Sequence, residues 1–96
     1  MELKDKLIDF VKDFENELTK DFNNINTEPR YFEYCLGMKR VCMSVKSLIR
    51  ETDIKNLKSV LEQKQKEINR DEDISNSGAY NMYNYIINQM EREMGE

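Results

Sequence analysis

The chain carries two thiols, Cys35 and Cys42, and no histidine to serve as their base. A cysteine nucleophile needs a neighbour that takes its proton, and imidazole is the usual one. The two cysteines lie seven residues apart. On a helix that spacing separates their Cα atoms by about 10.5 Å along the axis, beyond the reach of a disulfide. Two thiols without histidine also fall short of a structural zinc set, so both read as small core residues. Carboxylates pair at Asp9 with Asp13 and at Asp71 with Asp73. The first pair falls on a solvated helix face and the second in a charged loop, whereas a di-metal bundle presents inward glutamates and Glu-x-x-His. The segment DEDISNSG lacks the EF-hand register and its closing glutamate. No catalytic residue, metal ligand or cofactor is assigned, and the chain reads as a non-enzyme.

Recognition chemistry is better represented. Between residues 39 and 58, six cations, Lys39, Arg40, Lys46, Arg50, Lys55 and Lys58, stand against Glu51 and Asp53. Such a segment can neutralise phosphates, and a helix, short turn and second helix presenting Lys55, Asn56, Lys58 and Ser59 would resemble a helix-turn-helix. The plainer reading is a basic face that complements acidic segments of the same fold or of a second subunit. Aromatic residues gather at Tyr31, Phe32 and Tyr34 and again at Tyr80, Tyr83 and Tyr85. Tyrosine buries much area at low entropic cost and keeps a hydroxyl to pair, which favours it at binding surfaces. Six methionines are a weaker signal, because at helical spacing they more often fill gaps in a core.

Composition limits what these residues can belong to. The 96 residues have a formal net charge of −4, with 35% charged and 39% apolar side chains. A chain of this size folds as one unit, residues 1–96, and buries roughly 65% of its extended surface. There is no tryptophan, one proline and three glycines, so long helices are favoured over turn-rich sheets. The opening MELKDKLIDFVKDF alternates charged and apolar residues, unlike a secretory signal, and no apolar stretch reaches the 18 residues of a membrane span. The expected location is cytoplasmic, away from membranes. The single alanine amid abundant Asn, Lys, Ile and Glu suits a bacterial or phage origin.

Four helices are predicted to position these groups. Leu3, Leu7, Phe10, Val11, Phe14, Leu18 and Phe22 recur at three- and four-residue steps, which makes residues 2–23 one amphipathic helix, ending near Asn23, Asn24 and Asn26. Thr27 is the expected cap of a second helix over 28–51, with Pro29 in its first turn. Its apolar residues form two ladders: Tyr31, Cys35, Met38, Cys42, Val45, Ile49 and Tyr34, Met38, Val41, Val45, Leu48. Phe32, Leu36 and Met43 fall outside that arc beside Lys39, Lys46 and Arg50, while Glu33, Gly37, Arg40, Ser44 and Ser47 form a polar strip. Beyond Arg50 the ladder loses phase, which predicts a third helix over 53–70 capped by Thr52 or Asp53. The alternative is one helix from 28 to 69. RDEDISNSG reads as a loop, and a last helix over 77–94, begun by Ser75 or Ser77, places Ala79, Tyr83, Ile86, Ile87, Met90 and Met94 on one face with Met82 and Tyr85 turned away.

The predicted fold is therefore an all-α four-helix bundle around a central second helix. Its apolar circumference is wider than a small bundle hides, and exposed patches of this kind mark interaction sites. The expected function is a protein-binding module, an adaptor or inhibitor, that forms a homodimer through helix 2 or helix 4. Its contact residues would be Phe32, Leu36, Lys39, Met43, Lys46, Arg50, Met82 and Tyr85. The alternative is a nucleic-acid-binding regulator using Lys39, Arg40, Lys46, Arg50, Lys55 and Lys58. A third class, a site for a small anion such as a nucleotide, would draw on Arg30, Arg40 and Tyr80.

Overall fold

The computed structural model describes residues 2–23 and 28–95. Four α-helices account for their regular structure: α1 (Leu3–Phe22), α2 (Pro29–Glu51), α3 (Ile54–Lys66) and α4 (Ile74–Glu93), and no strand is among the described residues. The protein is an all-α four-helix bundle. Thr27, Asn24 and Asn26, expected to cap α2 and to end α1, lie outside the described residues. Glu28 occupies the N-cap position of α2 without a side-chain hydrogen bond, and Pro29 opens the helix where its missing N–H costs little.

Helices α2 and α3 are separate. Thr52 is extended (φ −93°, ψ 135°), and the Asp53 carboxylate, rather than the Thr52 hydroxyl, accepts from the Lys55 N–H at 3.0 Å to start α3. This excludes the single helix over 28–69. Helix α3 stops at Lys66, earlier than the expected residue 70, and α4 starts at Ile74 rather than at 77. The cause of the earlier start is Asp73: its Oδ1 accepts from the Asn76 backbone N–H at 2.8 Å and from the Ser75 hydroxyl at 2.7 Å. An aspartate at N-cap satisfies amide donors that the helix leaves orphaned. Those two contacts draw its carboxyl below the ordinary carboxylate range, the Ser75 hydroxyl contributing most. Neither Ser75 nor Ser77 is the cap.

Side-chain links fix the helix directions. Glu15 with Lys46 (2.9 Å) and Phe22 with Phe32 (ring centroids 5.0 Å apart) set α1 antiparallel to α2. Lys58 with Glu91 (3.2 Å) and Gln65 with Asn84 (2.9 Å) set α3 antiparallel to α4, and Lys6 with Glu93 (3.2 Å) does the same for α1 and α4. It follows that α2 and α4 run parallel. They form the most extensive pair of the bundle, while α1 covers both and α3 packs chiefly on α4.

One core unites the layers: Leu7, Val11 and Leu18 from α1, Cys35 through Ile49 on the inner side of α2, Leu57 and Leu61 from α3, and Ala79 through Met90 from α4. The centre of the parallel pair is unusual. A Cβ added at Gly37 would stand 2.7 Å from the carbonyl carbon of Ser75, and one added at Gly78 would stand 2.9 Å from that of Tyr34. Both obstructions are backbone, so α2 and α4 touch main chain to main chain. Gly37 therefore belongs to the buried interface rather than to the predicted polar strip, because the first turn of α4 crosses directly over it.

Candidate functional site

The ladder Cys35, Met38, Val41, Cys42, Val45 and Ile49 turns inward and is fully or almost fully buried. What remains outside on α2 is the other apolar set, Phe32 (38% exposed), Leu36 (44%) and Met43 (63%), together with Tyr31 (47%), which was expected on the inner ladder but lies in the exposed first turn of the helix. Such residues become informative only when they are neighbours, and these are. Leu36 and Met43 lie seven residues apart, two turns along one face, and with Lys39, Arg40 and Ser44 they line an open cleft of about 530 Å³.

The cleft has a defined flank. The Phe32 and Phe22 rings meet in a tilted, edge-type contact, and the Lys39 ammonium stands 5.1 Å above the centre of Phe22. A cation held over a ring face is attracted by the ring quadrupole, so Lys39 stays at the rim of the apolar surface. Toward the start of α2 the cleft continues into a recess shared by Glu33, Leu36, Arg40, Asp73 and Ser75. One turn beyond Met43, Lys46 turns back to α1 and pairs with Glu15, both side chains being mostly covered. Arg50 is exposed at the far end.

Beneath this surface are groups unsuited to ionic chemistry. Burial pushes the Cys42 thiol up to about 12, and burial likewise raises that of Cys35. In the exposed first turn of α2, rather than beneath the cleft, the Tyr31 hydroxyl, held by the Cys35 thiol and donating to Asp21 Oδ2 at 3.1 Å, is also pushed up to about 12. Both cysteines are free, as their spacing on one helix predicts, and both are buried.

Two predicted contact residues lie elsewhere. Met82 is fully buried, because α4 is enclosed by α1, α2 and α3 and hides more of its circumference than a single face. It is core, and its assignment to a partner surface is corrected. Met94, expected on the inner face, is exposed instead, since it follows the last turn of α4. Tyr85 is exposed (44%) on the α1–α4 seam, where it stacks on Phe14 at 5.4 Å, with Phe10 next in line at 6.1 Å from Phe14.

The six cations of residues 39–58 are distributed rather than gathered. Lys39, Arg40, Lys46 and Arg50 belong to α2, and Lys55 and Lys58 to α3; Lys46 is paired to Glu15 and Lys58 to Glu91. Arg30 and Arg40 are exposed on α2, while the Tyr80 ring is covered by Arg70 at 4.9 Å. Sequence reasoning missed Phe22, Asp73 and Ser75 as neighbours of the cleft. Two glycines inside helical stretches were the available signal for the α2–α4 crossing that brings Asp73 and Ser75 there.

Among the described residues no group of three or more His, Cys, Asp or Glu side chains is placed to hold a metal ion, and no helix is long and apolar enough to cross a membrane. Comparison with protein-family models, curated proteins and solved structures finds no match to this chain.

Proposed function

We propose that this protein is a non-enzymatic protein-binding module, an adaptor or inhibitor, whose contact face is the outward side of α2. The observation that supports this reading is the adjoining exposure of Leu36 and Met43 along one open cleft. Burying a leucine or methionine stabilises by about 1.5–3 kcal/mol relative to full exposure. A fold that leaves two of them outside on one helix face keeps that free energy for a partner. Phe32 and the rim cations Lys39 and Arg40 extend the face, and Arg50 marks its far end.

The test is a photo-crosslinking amino acid at position 43, with position 59 on the exposed side of α3 as control. The expected result is one discrete protein adduct in cells of the source organism from position 43 and none from 59. A crosslink to nucleic acid at position 43, or an absence of any adduct, would refute the reading.

A further inference from the structure

We infer that the occupant of the α2 cleft is an acidic amphipathic helix of a partner protein, not a second copy of this chain; this rests on the docking face proposed above. The first support is electrostatic. The cleft lining holds Lys39 and Arg40 and no acid, and the two cations flank the Leu36–Met43 stripe at its mid-length. Glu33 and Asp73 line the adjoining recess, which Arg40 shares and where it adds to Ser75 in drawing the Asp73 carboxyl down, so Lys39 is the cation set farther from these acids. Glu15 is engaged by Lys46. A twofold axis through the cleft would bring the residues at its centre against their own copies. With the axis midway between Leu36 and Met43, Lys39 and Arg40 would then face the Lys39 and Arg40 of the copy. Like charges in a forming interface cost affinity and suppress the wrong partner.

The second support is size. Phe32 to Met43 spans about 16 Å along the axis, three helical turns. A standard stable interface engages about 20–30 residues a side, many more than this stripe offers. An amphipathic helix read through anchors at i, i+4 and i+7 fits such a footprint. Its apolar residues would meet Leu36, Met43 and the exposed part of Phe32, and carboxylates on its flanks would reach Lys39 and Arg40.

Two synthetic helical peptides test this with the full chain. One carries leucines at i, i+4, i+7 and i+11 with glutamate at the flanking positions; its twin carries lysine in place of every glutamate. Binding is followed by amide chemical-shift perturbation and by fluorescence anisotropy at low and high salt. The expected result is saturable binding of the acidic peptide with shifts centred on Leu36, Lys39, Arg40 and Met43. The lysine twin should bind at least about tenfold more weakly, several rim pairs summing to that difference. Arg40→Glu should cut acidic-peptide affinity severalfold, and Met43→Asp should abolish binding while leaving the helical spectrum intact. Equal affinity for the twins overturns the acidic partner and leaves the docking face standing. Binding by neither peptide also overturns it, and joined to a failed crosslink at position 43 it removes the docking face as well. Concentration-dependent association in light scattering that Met43→Asp abolishes identifies a second copy as the occupant and overturns the proposal.

Discussion

Replacing Gly37 or Gly78 by alanine is the sharpest test of how this bundle is held together. The new Cβ at position 37 would stand 2.7 Å from the Ser75 carbonyl carbon and 3.0 Å from its Cα, and the one at 78 would stand 2.9 Å from the Tyr34 carbonyl carbon. Non-bonded carbons rest about 3.5–4.0 Å apart, and the Ser75 and Tyr34 carbonyl oxygens are nearer still, so α2 and α4 must separate by at least about 1 Å. No rotamer change relieves the clash, since main chain opposes it on both sides. If four side chains of the seam, Met38, Val41, Met82 and Ile86, each direct about 20 contacts across it at about 0.15 kcal/mol, a 1 Å gap forfeits roughly 3–6 kcal/mol. Alanine returns about 1 kcal/mol through its better helix propensity. Partial relaxation brings the expected net destabilisation to about 2–4 kcal/mol, in line with overpacking at other close contacts. Urea unfolding followed by circular dichroism measures it, with Ser47→Ala on the exposed side of α2 as control. The double variant should cost less than the sum of the singles, because one separation relieves both clashes. If Gly37→Ala is neutral or stabilising, the close crossing does not exist and the account of the α2–α4 pair is wrong.

Three other outcomes are expected. Met82→Ala, which empties a fully buried site, should cost about 2–5 kcal/mol, whereas Met43→Ala, at a site 63% exposed, should stay within about 0.5 kcal/mol of the parent by the same denaturation assay. Asp73 has a carboxyl pKa held below its unfolded value, so its contribution is complete above the ordinary carboxylate range and is lost as pH falls through the lowered value; the midpoint difference between Asp73→Ala and the parent should be full near neutrality and vanish in strong acid. Cys42 ionises in the folded chain only at about 12. The unfolded chain sheds that proton near the usual thiol pKa of about 8.5, so stability should decline as pH rises from about 9 toward 12, and a thiol reagent at pH 8 should label Cys35 and Cys42 only after denaturant is added.

Much of the architecture was readable because helical periodicity is a local property. Leu7, Val11 and Leu18 point inward as their spacing requires, and the loss of phase after Ile49 marks the break that Asp53 completes. The exposure of Phe32, Leu36 and Met43 was legible for the same reason: the inner ladders already filled the facing arc. What failed depended on how helices meet. Met82 was assigned outward on the premise that α4 has one covered face, and the chain alone does not reveal that three helices surround it. Gly37 was grouped with Arg40 and Ser44 on a polar strip, although a glycine inside a helix costs about 1 kcal/mol relative to alanine and so implies a compensating close approach. The early start of α4 was hidden by Asp73, whose acidic neighbours Asp71 and Glu72 made the segment resemble solvated loop. For the candidate site, α2 supplied its own residues in plain sight, while Phe22, Asp73 and Ser75 reach the cleft only through tertiary folding.

The ion pair between Lys6 and Glu93 joins the beginning of α1 to the end of α4, which has a mechanical consequence. Tension applied between these two sites acts across neighbouring antiparallel helices at their shared pole, peeling one from the other turn by turn instead of shearing the whole seam at once. Contacts then yield in succession under small loads, so a bundle whose α2 and α4 meet main chain to main chain should still come apart gently when drawn from these two sites.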